Sequence, residues 1–435
     1  MTELSHTFET ARGTIGPLER VLSAIPAIVL FYVILLNPLL TEGATVGSAE
    51  NNIAAAEPNR LNQLFWLGLF GLTLFSAGNR IFVIFDRLKN PAVLFIAAYL
   101  VLAFASVTWS PVPGIALRRI LLQTIFVLVL AIPILVSRDT GRVISGLLAV
   151  LALAVWINVI AVIIVPPSPI GHVGLYAQKN ALGATMAGAF LFMMFGFFTR
   201  RGAMRWVYLA TAFAALALVV MSQSKTSLAL GIAAPAAAFG LIAISRGLNI
   251  GLTGLFLFSA VFGLACWFFF SQAAQFAFSD LSMLLFDDET FTGRTTIWAF
   301  SLEAIERSPV LGHGYASFWA TGTDSSVFRE APGFVASLLQ SHSGYLDVLI
   351  ETGAVGFSLL VLLLVFTLTQ IARLARHMPG LAWLCLTILI FAMVHNSMES
   401  SWFRGFSFLW LQFLLAALLP ASQRPAKPDF AAGRP

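Results

Sequence analysis

Residues 143–165 read VISGLLAVLALAVWINVIAVIIV. A helix must supply roughly 20 mostly apolar residues to cross a hydrocarbon core of about 30 Å, and this run does so without one charge. Eleven further runs of the same kind lie at about 21–40, 61–78, 91–108, 115–136, 181–198, 206–221, 227–244, 250–271, 345–371, 380–398 and 406–420. Hydrophobic residues make up 59% of the chain and charged residues 10%, against about 45–50% and about 25% in soluble domains. The mean hydropathy is +0.88. The fold class read from this pattern is all-α: a polytopic membrane protein of about 12 transmembrane helices, forming one integral membrane domain over residues 1–435. A soluble globular enzyme is excluded. The first 20 residues are polar and lead straight into a span, so no cleavable signal is expected.

Lys and Arg placement orients the bundle, because cytoplasmic loops carry the excess of both. With the termini in the cytoplasm, 16 of the 25 basic residues fall on that side. The long connection 272–344 then lies on the outer face. It contains an amphipathic helix from Arg294, mixing Ile297, Trp298, Phe300, Leu302 and Ile305 with Glu303, Glu306 and Arg307 and ended by Ser308-Pro309. This reads as a helix lying on the membrane, with Arg294 aimed at the surface. The nine remaining cations are Arg60, Arg118, Arg119, Lys179, Lys225, Arg294, Arg307, Arg329 and Arg404. Several sit at the mouths of spans among polar residues, where they suit an anionic ligand better than head-group snorkelling alone.

Five outer clusters carry the polar chemistry. Gly171 to Asn180 ends in Lys179-Asn180 at the start of the sixth span, where a helix N-terminus adds positive potential for phosphate; the plain alternative is a capped turn. Ser222-Gln223-Ser224-Lys225-Thr226-Ser227 joins two spans with almost no loop, and its Ser224 hydroxyl and Lys225 ammonium suit phosphate oxygens. Thr292-Gly293-Arg294 opens the loop helix, which runs on to the glycine-rich turn around His313. Gln340-Ser341-His342-Ser343-Gly344-Tyr345 leads into Asp347 and Glu351, four residues apart on one helix face. Ionisable groups inside a span are costly and mark function, and His342 is the natural general base. His395 to Ser401 adds His395 and Glu399 on the same side; interfacial capping is its plain reading.

Other chemistries lack their signatures. Cys266 and Cys385 both sit in apolar runs, which argues against a disulfide or a thiol metal site. There is no P-loop, and no acidic metal motif of the kind a nucleotide-sugar transferase uses, so neither a cofactor nor a metal site is expected. Nor is a nucleic-acid partner. A transporter of glycans or anions is the rival from a different class, and it calls for polar groups at mid-span. Here they gather at one face.

The string GRTTIWAFSLEAIERSPVLGHGYASFW at 293–319 and SHSGYLDVLIETGAVG at 341–356 resemble the O-antigen ligase and polysaccharide polymerase family. SQSKTSLAL at 222–230, YAQKNALG at 176–183 and NSMESS at 396–401 are also similar, so the resemblance covers roughly 170–405. It implies a multi-pass protein of the bacterial inner membrane whose active site faces the periplasm. It further implies transfer of a glycan from an undecaprenyl diphosphate carrier without metal or nucleotide. The acceptor is another repeat unit in a polymerase and the lipid A core in a ligase. Lysine at 225, within SQSKTSL, looks closer to exopolysaccharide polymerases. A repeat-unit flippase and a chain-length regulator are the protein partners this implies. The expected roles are His342 as base, with Arg294, Lys225, Lys179, Ser224 and Asn180, assisted by Arg118 and Arg119, on the diphosphate. Tyr345, Glu351, Asp347, His313, His395 and Glu399 support them; Asp347 or Glu351 is the expected orienter of His342, and His313 and His395 are reserve bases.

Overall fold

In the computed structural model the described residues are 16–40, 57–169, 171–277, 279–280, 283–284, 293–322 and 325–423. Thr292 and both termini lie outside them. Among the described residues ten helices are long and apolar enough to cross a membrane. Nine precede the long loop: α1 Pro17–Leu39, α2 Arg60–Arg87, α3 Pro91–Thr108, α4 Pro113–Val136, α5 Thr140–Ile164, α6 Lys179–Thr199, α7 Met204–Met221, α8 Lys225–Gly247 and α9 Leu252–Ala274. Within the loop lie α10 Arg294–Arg307 and the short α11 Ser326–Glu330. The tenth long helix is α12 Gly344–Leu374, and the shorter apolar α13 Pro379–His395 and α14 Phe408–Ser422 follow. Each of the twelve apolar runs is thus a helix. The eleventh stops at His395, short of 398, because residues 396–399 turn away.

Proline at the first position, which costs no backbone hydrogen bond there, starts α3, α4 and α13. The Asn90 side chain caps α3 by accepting from the Ala92 amide at 3.1 Å. α6 is packed by α5, α7, α8, α13 and α14, and 72% of its most apolar stretch is buried in the protein. α9 is the opposite case at 6%; its Phe258, Phe262, Phe268 and Phe269 face outward. Lys179 thus stands at the head of a largely buried helix.

α12 is broken. Gly353 adopts φ 63° and ψ −164°, and the residues on either side bond to the loop instead of the helix. His313 N–H donates to Ile350 O at 2.8 Å and Gly314 N–H to Glu351 O at 2.9 Å. In return Ala354 N–H donates to Pro309 O at 2.9 Å. A Cβ on Gly312 would stand 2.5 Å from the Glu351 carbonyl carbon, and one on Gly353 would collide with the Val310 carbonyl, so the two backbones touch only because residues 312 and 353 are glycine. Irregular backbone at this depth is stable only when its polar groups find protein partners, and here loop and helix satisfy each other.

α10 does not simply lie on a surface. Its Ile297, Phe300 and Ala304 pack with Phe318, Trp319, Val327, Val335 and Ile350 in a small core of their own. Leu302, read from the sequence as part of the apolar face, is 52% exposed. Arg294 turns inward, not toward the surface.

Candidate active site

Glu399 is the centre of the site. Its Oε2 lies 3.0 Å from His342 Nδ1. Its Oε1 accepts from Asn180 Nδ2 at 3.0 Å and from Arg294 Nη2 at 3.1 Å. Arg294 Nε also donates to Met398 O at 3.1 Å. One carboxylate thus joins the head of α6, the head of α10 and the turn before α12. The His342, Arg294 and Glu399 side chains are 23%, 14% and 16% exposed, so the group is largely withdrawn from solvent.

Local sequence builds this geometry. The Asn396 side chain accepts from Ser401 N–H at 2.8 Å and Trp402 N–H at 3.1 Å, folding 396–402 back on itself as asparagine turns do. Gly344 N–H donates to the carbonyls of Asn396 and Glu399, which docks that turn on residues 341–344. Asp347 Oδ1 accepts from Ser341 N–H at 3.0 Å. His342 between them has φ +54°, a conformation uncommon outside glycine and kept only where the surroundings dictate it.

The electrostatics follow from the contacts. Burial alone raises the Glu399 carboxyl; the His342 hydrogen bond and charge and the Arg294 charge outweigh it and hold the group below its ordinary range. An ionised carboxylate only accepts, so in the neutral imidazole the proton of His342 belongs on Nδ1 and the lone pair on Nε2. A histidine so held is set up to take a proton.

Lys179 and Lys225 head two neighbouring helices. A Cβ on Gly183, one turn into α6, would lie 2.5 Å from Ser224 Cβ, so the heads of α6 and α8 touch. Ser224 is buried and its Oγ lies 2.9 Å from Ser227 Oγ, which places it in the packing. Beside the head of α6 opens a cleft of about 860 Å³. Asn180, Gln178, His395, Glu399 and Ser400 line its polar part, and Val33, Ile34, Val165, Phe408 and Leu409 its apolar part.

Several expected residues fall elsewhere. Neither Asp347 nor Glu351 bonds the His342 ring: both pair with Arg404, at 2.6 and 3.6 Å. Being one helical turn apart, they face the same neighbour, and that neighbour is an arginine. Arg119 is spent on the carbonyls of Ala316, Trp319 and Ala320, so it ties the loop down and does not reach Glu399; Arg118 is half-buried next to it along α4. His313 bonds Ala304 O at 2.8 Å. Tyr345 donates to Met393 O at 2.8 Å. His395 is buried in the cleft wall against Phe391. The residue that sequence reasoning passed over is Arg404. A cation between two apolar helices, with two carboxylates inside a neighbouring span, was the available signal.

Fold and site together define a polytopic α-helical membrane protein with its charged groups assembled at one end of the bundle, beside a cleft that is part polar and part apolar. Residues 210–361 match a family model described as O-antigen ligase. The chain is 27% identical over 281 residues to the exopolysaccharide production protein ExoQ of Rhizobium meliloti (strain 1021). That alignment covers 62% of this chain and 63% of the relative, so the chain spans a little under two thirds of the protein it matches. Both findings support the resemblance to O-antigen ligases and polysaccharide polymerases. The family-matched region contains Lys225, Arg294 and His342; Lys179, Asn180 and Glu399 lie outside it.

Proposed function

We propose that the chain is a glycosyltransferase of the bacterial inner membrane that works at its periplasmic face. It transfers a glycan from undecaprenyl diphosphate to a sugar hydroxyl, most directly to extend an exopolysaccharide or O-antigen chain by repeat units. The observation that carries this reading is the Glu399 junction, which joins His342, Arg294 and Asn180 to the wall of a part polar, part apolar cleft. Its apolar wall suits the carrier's first isoprenes. Its polar end, with Arg294 near and Lys179 and Lys225 at the tips of two long helices, suits the diphosphate.

The reaction is a single displacement. His342 Nε2 removes the proton of the acceptor hydroxyl, the oxygen attacks the anomeric carbon, and the bond from that carbon to the diphosphate oxygen breaks. The bonding electrons leave on the diphosphate, whose charge the cations neutralise, and the anomeric centre inverts. The proton then passes from His342 to solvent. A positioned base contributes about 10²–10⁴-fold, and the diphosphate leaves without an acid, so metal-free transfer is part of the proposal.

The test is His342→Ala and Arg294→Ala in cells deleted for the native gene, scoring polymer length at matched protein level. Loss of polymer with the protein still in the membrane is expected from both. Wild-type polymer from either variant removes that residue from the site. Accumulated single repeat units mark a polymerase, and lipid A core lacking long chains marks a ligase.

A further inference from the structure

A second, smaller cavity of about 220 Å³ shares Phe406 as a wall with the large cleft. Its polar lining is Arg119, Gln123, Glu351 and Arg404; Tyr315, Trp319, Phe403 and Phe406 give it aromatic walls. The charges here are engaged and balanced. Arg404 pairs with Asp347 and Glu351, and Arg119 donates to three backbone carbonyls. Such a lining offers no surplus of positive charge for a diphosphate.

Gln123 is the unexplained group. It is 2% exposed, and neither its amide oxygen nor its amide nitrogen has a hydrogen-bond partner. A buried polar group left without a partner is costly, and leucine would serve a helix such as α4 better. Gly405 leaves it room: a Cβ there would stand 2.9 Å from Gln123 Oε1.

We infer that this cavity receives a sugar ring of the acceptor glycan; the inference rests on the transfer reaction proposed above. A hydroxyl both donates and accepts, so two hydroxyls of one ring satisfy both ends of the Gln123 amide. Glu351 supplies a further acceptor, and the aromatic walls cover the ring's C–H faces. The volume equals about seven waters of liquid, which suits one six-membered ring. The cavity is also wired to the base: Arg404 holds Asp347, and Asp347 holds the Ser341 amide next to His342. An occupied cavity thereby loads the ion pair that fixes the His342 turn.

The experiment uses the full chain in lipid nanodiscs, with methyl pyranosides of gluco, galacto and manno configuration as probes and inorganic phosphate as the control. At least one pyranoside should raise the unfolding temperature in a saturable way. Gln123→Leu should fold at least as stably as wild type, because it deletes two unpartnered groups, and should weaken that saturation about tenfold, the worth of two neutral hydrogen bonds. Gly405→Ala, which crowds the amide, should weaken it too. His342→Ala should keep the response, since it leaves the cavity intact. No response to any pyranoside, an unchanged response in Gln123→Leu, or equal stabilisation by phosphate acting through Gln123 would each overturn the assignment. Normal polymer from His342→Ala and Arg294→Ala, with pyranoside binding intact, would instead overturn the transfer reaction and leave a sugar site standing.

Discussion

Two ion clusters sit at the same end of this bundle with opposite construction. Around Glu399 one carboxylate is surrounded by a histidine, an arginine and an asparagine, with Lys179 and Lys225 at the neighbouring helix heads. Around Arg404 one guanidinium is surrounded by two carboxylates. The first adds Arg294 and two helix-head lysines to one carboxylate and borders the large cleft. In the second, burial alone would lower Arg404, but Asp347 and Glu351 overcome it and raise the guanidinium above its ordinary value. A surplus of one sign makes an electrostatic trap for a ligand of the other, whereas a balanced buried set fixes the backbone that carries it. The difference separates chemistry from scaffold in residues that look alike as ionisable side chains within or beside a span.

The largest expected effect breaks the scaffold cluster. Arg404→Leu leaves Asp347 and Glu351 buried, 4% and 9% exposed, without their cation. Removing one partner of a buried pair costs about 3–5 kcal/mol, a large share of a domain's stability. The variant should fail to accumulate in membranes by immunoblot. Normal accumulation would mean the Arg404 cluster is not structural, and the comparison would collapse. His342→Ala should do the reverse. Protein level should hold while polymer formation falls about 10²–10⁴-fold, measured in membranes given carrier-linked repeat units.

Much of this division was legible in the sequence, and the illegible part has a physical cause. The twelve apolar runs predicted the helices because span length leaves little freedom. His342, Arg294, Lys179 and Asn180 stand out in the sequence as polar groups at helix starts, and the structure puts His342, Arg294 and Asn180 on Glu399, with Lys179 opening the helix that carries Asn180. The orienting carboxylate was misassigned because helical spacing points to Asp347 and Glu351, the near ones in sequence. Which carboxylate reaches a histidine is set instead by a turn 57 residues away, folded by Asn396. Nothing local announces that. The break at Gly353 was equally hidden, since a glycine in an apolar span reads as tolerated. Its reason is the approach of 309–314, a long-range contact.

Glu399→Gln sharpens the comparison at a smaller scale. The amide is nearly the same shape and still bonds Arg294 or Asn180 through its oxygen. It can also donate to His342 Nδ1, which moves the ring proton to Nε2 and removes the lone pair the reaction needs. Losing the carboxylate behind a metal-bound histidine typically costs about 10–100-fold, and a fall of that order is expected here at unchanged protein level. Full activity would show that Glu399 only packs.

The smallest effect is in pH. The folded Glu399 carboxyl lies below its ordinary range, because the His342 hydrogen bond and charge and the Arg294 charge overcome the opposing effect of burial. A carboxyl held low in the folded state stabilises fully above its unfolded value, near 4.3, and loses that contribution as pH falls through the folded one. Measured as unfolding temperature in detergent, the part of the difference between wild type and Glu399→Gln that comes from the carboxylate should therefore be retained down to about pH 5. It should close only in more acid solution. Taking the difference cancels the other carboxylates, including Asp347 and Glu351, which both proteins share. A gap that closed above the ordinary carboxylate range would mean that the cations do not hold Glu399 ionised. The contrast between a cation-rich site and a balanced scaffold would then rest on Arg404 alone.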